Sequence, residues 1–111
     1  QAALYVRVCQ KMGIKVLPPD VNLSDVRFTT ENGQIRFALA AVKNVGEAAI
    51  RHLIAERRSN GPFKSYGDFL RRLNEGELNR KMVESLIRSS ALDCFAVPRS
   101  RLIAALEPFT S

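Results

Sequence analysis

The sequence is poor in the residues that build metal sites: one histidine and two cysteines in 111 residues. His52 has no partner at ligand spacing, and neither Cys9 nor Cys94 belongs to a Cys-x-x-Cys pair, so a zinc finger or similar short-range metal site is excluded. The two thiols read as reduced cysteines of a cytoplasmic protein. No stretch approaches the roughly 20 continuous apolar residues that a membrane helix needs. Gln1-Ala2-Ala3-Leu4-Tyr5 carries no basic leader ahead of an apolar run, so it reads as a cut inside a longer protein and not as a signal peptide. Carboxylates are scattered. Asp20, Asp25, Asp68 and Asp93 stand alone, with no Asp-x-Asp pair, and two-metal nucleotidyl transfer needs clustered carboxylates. The expectation is no catalytic residue, no metal ligand and no cofactor within these residues.

What is present is an ordinary globular composition, long enough for one domain or two small abutting ones. Net charge is +6. Residues 1–42 hold five Lys/Arg against three Asp/Glu, and residues 43–111 hold twelve against eight, so the excess lies mostly in the second part. A positive balance favours polyanions, through attraction to phosphates and release of their counterions.

Periodicity predicts a mainly α chain with one small β-hairpin. Leu4, Tyr5, Val8, Cys9 and Met12 recur at helical spacing over 2–12, and Gly13 supplies a left-handed stop. Ile14 to Leu17 is a short extended run closed by Pro18-Pro19. Val26–Thr30 and Gln34–Ala38 alternate around Glu31-Asn32-Gly33, a strong hairpin signal, with Phe28 and Phe37 expected to face the core. A short helical turn spans Leu39–Lys43, and an amphipathic helix spans Glu47–Arg58. Ser65, with Asp68 three residues on, caps a helix to about Leu73. Asn79 caps another, to about Ser90. A last helix runs from about Pro98 to Glu107, with Pro108 as its stop.

The segment Lys43-Asn44-Val45-Gly46 joins a short helix to a longer one through a turn of the form small, hydrophobic, Gly. Asn and Gly tolerate unusual backbone geometry, and Val45 can plug between the helices. The N–H groups from Val45 to Ala48 then lack internal partners at the positive end of a helix dipole, which makes a phosphate site. Lys43 and Arg51 would add charge, with Arg80 and Lys81 as weaker candidates, so the candidate site comprises Lys43, Asn44, Val45, Gly46, Glu47, Ala48, Arg51, Arg80 and Lys81. Arg57 and Arg58 read equally well as a solvated helix end. The alternative for the turn is a plain helix corner with no ligand. Residues 65–90 read as a degenerate second copy around Glu75-Gly76-Glu77-Leu78, where a purely structural helix pair is favoured.

The turn resembles the helix-hairpin-helix family, a SAM-like helical core that binds DNA through its backbone without reading sequence. Two positions depart from the family pattern: Asn44 replaces the first Gly, and Ile50 stands where Ala is commonest. A wider resemblance is carried by Cys9-Gln10-Lys11-Met12-Gly13-Ile14-Lys15-Val16-Leu17-Pro18-Pro19-Asp20-Val21-Asn22, by Ile35-Arg36-Phe37, by Gly61-Pro62-Phe63-Lys64-Ser65 and by Asn79-Arg80-Lys81 to Asp93, in that order. This pattern is similar to the bacterial DNA polymerase III alpha-subunit family. The resemblance implies a bacterial cytoplasmic protein in which residues 1–38 close the fingers and residues 39–111 form the helix-hairpin-helix region. It implies contact with double-stranded DNA behind the active site and with other polymerase domains. Magnesium chemistry and contacts with the sliding clamp and other replisome subunits would lie outside these residues. The rival expectation is a scaffold module linking the fingers to the clamp-binding region. A repair-nuclease module shares the turn but gives no reason for Leu17-Pro18-Pro19-Asp20-Val21-Asn22.

Overall fold

The computed structural model describes residues 2–73 and 78–106. The chain is mainly α with a small sheet, as the periodicity predicts. Helix α1 (Ala2–Lys11) leads into strands β1 (Val16–Leu17), β2 (Thr29–Glu31) and β3 (Gln34–Arg36). A 3-10 turn (Leu39–Ala41) follows, then α2 (Glu47–Asn60), α3 (Tyr66–Leu73), α4 (Arg80–Arg88), a second 3-10 turn (Asp93–Phe95) and α5 (Arg99–Ala104). The degenerate turn at Glu75-Gly76-Glu77 and the stop at Pro108 lie outside the described residues.

Helix α1 ends as its glycine predicts. Gly13 takes φ +77°, and the Ile14 N–H donates to the Cys9 carbonyl at 2.8 Å, closing a Schellman-type end. Of its apolar stripe only Cys9 is buried, while Leu4, Val8 and Met12 face solvent. Tyr5 leans on Phe28, with ring centroids 4.6 Å apart, and Phe28 meets Phe37 edge-on at 5.0 Å. Phe37 packs against the main core, whereas Phe28 is half-buried in this aromatic trio.

The hairpin forms where Asn32-Gly33 requires it. Glu31 pairs with Gln34, and both loop residues have positive φ, +52° and +80°, the geometry of a tight two-residue turn. Its first strand begins at Thr29, not at Val26. Val26 is buried among the helices, and its carbonyl accepts from the Ala40 N–H at 3.3 Å. The extended run before the prolines becomes a third strand, with β1 parallel to β3 and Val16 opposite Ile35, giving the order β1-β3-β2.

The Pro-Pro-Asp-Val-Asn segment fastens this sheet to the helices. Val21 is fully buried, and its N–H donates to the Ala91 carbonyl at 3.0 Å. The Asn22 side-chain amide reads both sides of Phe63, accepting from its N–H at 2.8 Å and donating to its carbonyl at 3.0 Å. Arg57 donates to the carbonyls of Val21 and Ser24 at 2.7 and 2.8 Å, so it is a structural tie and not a solvated helix end. Val21 and Val26 therefore share one core with the helices.

That core draws Ile50, Leu53 and Ile54 from α2, Phe69 and Leu73 from α3, Val83, Leu86 and Ile87 from α4, and Leu102 from α5. The caps hold these helices in place. The Asp68 N–H donates to Ser65 Oγ at 3.0 Å, while the Asp68 carboxylate reaches back to the Lys64 N–H at 2.9 Å, one residue earlier than an ideal capping box. Asn79 Oδ1 accepts from the Met82 N–H at 3.0 Å. Arg72 locks the connection between α2 and α3. It binds Glu56 at 2.8 Å, Asp68 at 3.1 Å and the Gly61 carbonyl at 2.7 Å, and its guanidinium lies 4.3 Å from the Phe63 ring centre.

Candidate nucleic-acid interface

The turn between the 3-10 segment and α2 is built around Asn44. The Val45 N–H donates to the Val42 carbonyl at 3.3 Å, and Asn44 takes φ +68°. Asparagine tolerates this left-handed region because its short polar side chain can bond locally. Val45 is buried at 8% exposure, the plug the pattern predicts. The preceding helix is shorter than expected, since 3-10 geometry ends at Ala41 and Val42 is already extended. Ile50, which departs from the family's small residue, is fully buried in the core.

Gly46 corrects one expectation. It is the N-cap of α2 with φ −78° and ψ 147°, a region open to any residue. A side chain there would meet Met82 Cε at 3.9 Å, an ordinary contact. A β-branched residue at 46 is thus compatible with the turn, because the conformational demand falls on Asn44.

No side chain caps α2 at Gly46. The N–H groups of Gly46, Glu47, Ala48 and Ala49 find no acceptor among the described residues, and the first bond of the helix end runs from the Ile50 N–H to the Gly46 carbonyl at 3.2 Å. Gly46, Glu47 and Ala48 are exposed, while Ala49 is buried, so the uncapped N–H groups of the first three stand at the exposed, positive end of a 14-residue helix.

The charges nearby divide into three groups. Lys43 is exposed beside the turn. Arg51 is engaged with Glu47, donating from Nε at 2.9 Å and Nη2 at 2.7 Å, while Arg27 approaches the same carboxylate at 3.6 Å. The Arg51 hydrogen bond, helped by the charge of Arg27, holds the Glu47 carboxyl below the usual carboxylate range. Arg80 is half-buried, with Nη1 3.5 Å from the Leu106 carbonyl, whereas Lys81 is exposed on α4.

Helix α4 lies alongside the turn. Ser85, Arg88 and Ser89 form one wall of a shallow groove, and Val42, Lys43 and Asn44 form the other. One expectation is corrected here: the Val45 N–H is taken by the Val42 carbonyl, so the free amides start at Gly46, and Arg27, Ser85 and Arg88, which the sequence did not single out, stand near the turn. Residues 81, 85 and 88 share one side of α4, away from Val83 and Leu86, a spacing that the sequence carries. That spacing could not tell which loop the side meets. For Arg27 there was no local signal.

Among the described residues no group of three or more His, Cys, Asp or Glu side chains is placed to hold a metal ion, and no helix is long and apolar enough to cross a membrane. Both cysteines are free, Cys9 buried and Cys94 exposed.

Comparison with known proteins gives the same reading as the residues. The family model for the helix-hairpin-helix motif matches residues 13–102. The chain is 51% identical over 97% of its length to the DNA polymerase III subunit alpha of Thermus aquaticus, and 44% identical over 96% to that of Deinococcus radiodurans. It is 39% identical over 93% of its length to the subunit of Chlamydia pneumoniae. The chain spans only 8–9% of the length of these relatives. It belongs to the DNA polymerase III alpha-subunit family, as that family's helix-hairpin-helix region.

Proposed function

We propose that the chain grips duplex DNA by its phosphate backbone, without reading base sequence, and performs no chemistry itself. The observation that carries this reading is the row of unpartnered N–H groups from Gly46 to Ala48, held open at the start of α2 beside Lys43. Backbone amides at a helix N-terminus suit an oxyanion and discriminate no base. Val45 and Asn44 shape the turn, and Glu47 and Ala48 contribute amides. Lys43 and Lys81 supply mobile positive charge, and Arg51 becomes available when it leaves Glu47. Arg80 is the weakest member of the set, being directed at Leu106. Polymerisation and its divalent metal, in this reading, belong to the rest of the parent polymerase, as do contacts with a sliding clamp.

The test is a titration of the chain with duplex DNA of unrelated sequences across a range of salt. Each neutralised phosphate contributes about 0.9 to the slope of log affinity against log salt. The expected result is weak, sequence-indifferent binding with a finite slope, reduced by about 0.9 in Lys43→Ala. Binding that ignores salt overturns the proposal.

A second reading, a scaffold between polymerase domains, is favoured by one observation. Leu4 and Val8 of α1 and Met12 just after it are 61%, 46% and 69% exposed, with Leu23 at 57%. Scattered exposed apolar residues are normal, but a stripe along one helix suits a protein neighbour. The two readings rest on different residues and are compatible.

A further inference from the structure

We infer that α4 forms the second wall of the phosphate contact, and that Arg88 and Ser85 hold the phosphodiester backbone of one DNA strand in the groove between α4 and the turn. This rests on the backbone grip proposed above and extends it to residues that the turn alone does not include.

The groove has a donor on each side. Lys43 and Asn44 stand opposite Ser85, Arg88 and Ser89. Residues 81, 85 and 88 follow the i, i+4, i+7 spacing of one helix face, so Lys81 extends the same wall. From Lys81 to Arg88 the wall runs about 10 Å, at about 1.5 Å per residue. A single DNA strand advances about 3.4 Å per phosphate along the duplex axis, so the wall is long enough for about three phosphates.

Arg88 is free to serve. Its side chain is 66% exposed, and its partner is Glu84, an exposed i,i+4 pair at 3.1 Å. Such pairs are weak enough to exchange for a phosphate. Ser85 Oγ has no hydrogen-bond partner among the described residues, whereas the Ser89 hydroxyl is occupied by the Leu86 carbonyl at 3.0 Å. The negative end of the α4 dipole also points this way. Its last carbonyls are, however, satisfied from within: Ser89 N–H donates to Ser85, Ala91 N–H to Leu86 and Ser90 N–H to Ile87, at 3.0 to 3.2 Å. Glu84 is the acidic side chain paired at this wall, and Arg88 lies against it. The groove thus presents Lys43 and Arg88, with Lys81 one turn further along the same face of α4 and Glu84 held by Arg88.

The experiment is fluorescence anisotropy of the 111-residue chain with a short dye-labelled duplex across several salt concentrations, with circular dichroism melts of every variant. Arg88→Ala is expected to bind severalfold more weakly at low salt and to lose about 0.9 from the salt slope, and Arg88→Lys to regain the slope. Ser85→Asp, which adds a negative charge to the groove and leaves every cation in place, is expected to weaken binding at least as much. Arg71→Ala, an exposed arginine paired with Asp68 on α3, is expected to bind as wild type. If Arg88→Ala and Ser85→Asp both match wild type while Lys43→Ala weakens binding, the α4 wall is refuted and the turn site stands. If all three match wild type and the slope is near zero, both are refuted.

Discussion

The geometry of the turn makes unequal predictions for the two small residues that flank Val45. Asn44 has φ +68° and Gly46 has φ −78°. An L-residue in the left-handed region carries a penalty of about 1–2 kcal/mol, which asparagine partly escapes and a β-branched side chain does not. Asn44→Val should therefore destabilise the fold by about 2 kcal/mol, a large share of the roughly 5–15 kcal/mol of a typical domain. For a chain of this size that lowers the melting temperature by about 10 °C. Gly46→Ala should change stability little. Its backbone is already in an ordinary region, the new Cβ has 3.9 Å to Met82, and the freedom lost by the unfolded chain, worth about 0.5 kcal/mol, is offset by a cost of similar size for Ala in place of Gly at an N-cap. Asn44→Gly should retain wild-type stability or better. Urea denaturation followed by far-UV circular dichroism, with the slope m checked for constancy, measures all three. If Gly46→Ala costs more than Asn44→Val, the strained position has been misassigned and the account of the turn fails.

Two other substitutions probe the supports of the site. Asn22→Ala removes both hydrogen bonds to Phe63, leaving a half-buried N–H and carbonyl without partners, and should cost about 1–3 kcal/mol in the same denaturation assay. A change within about 0.5 kcal/mol, the range of a neutral surface substitution, would show that the segment is not a fastening. Glu47→Gln removes a negative charge from the mouth of the phosphate site and releases Arg51 and Arg27, so duplex affinity should rise severalfold with a steeper salt slope. Unchanged or weaker binding in the DNA titration would show that those arginines do not reach the backbone.

Legibility from sequence followed the range of each interaction. The hairpin turn was readable because Asn32 and Gly33 impose it locally, and the ends at Gly13, Ser65 and Asn79 were readable for the same reason. The inward faces of α2, α3 and α4 followed from their period, although Tyr66, Leu70 and Met82 prove to be at the edge of the core. Long-range pairings were not readable. Strand β1 has a partner nineteen residues away in Ile35, and nothing in Val16-Leu17 names it. The hairpin's first strand was drawn too long because Val26 alternates like a strand residue yet is claimed by the helical core. Arg57 looked like any cation at a helix end, and only the fold shows it holding the Val21 and Ser24 carbonyls.

The residues that identify this chain and those that would serve it are largely different. Pro18 to Asn22 is the most distinctive stretch, and its contacts are internal: Val21 to Ala91, Asn22 to Phe63, Arg57 to Val21 and Ser24. Such ties demand particular side chains, which makes the pattern specific. The proposed phosphate grip uses backbone amides and exposed cations, and many sequences can supply those. That is why a four-residue turn read alone leaves a DNA contact and a plain helix corner equally open. The turn differs from a plain corner in what lies around it. Its amides are left uncapped at Gly46, its strained residue is an asparagine, and an arginine-bearing helix runs along its side. The last of these is fixed by packing between segments more than 40 positions apart in sequence, such as Asn44 and Arg88, which are 44 apart. The site therefore depends on the fold, and variants that loosen α4 from the turn should weaken DNA binding even where every cation is kept.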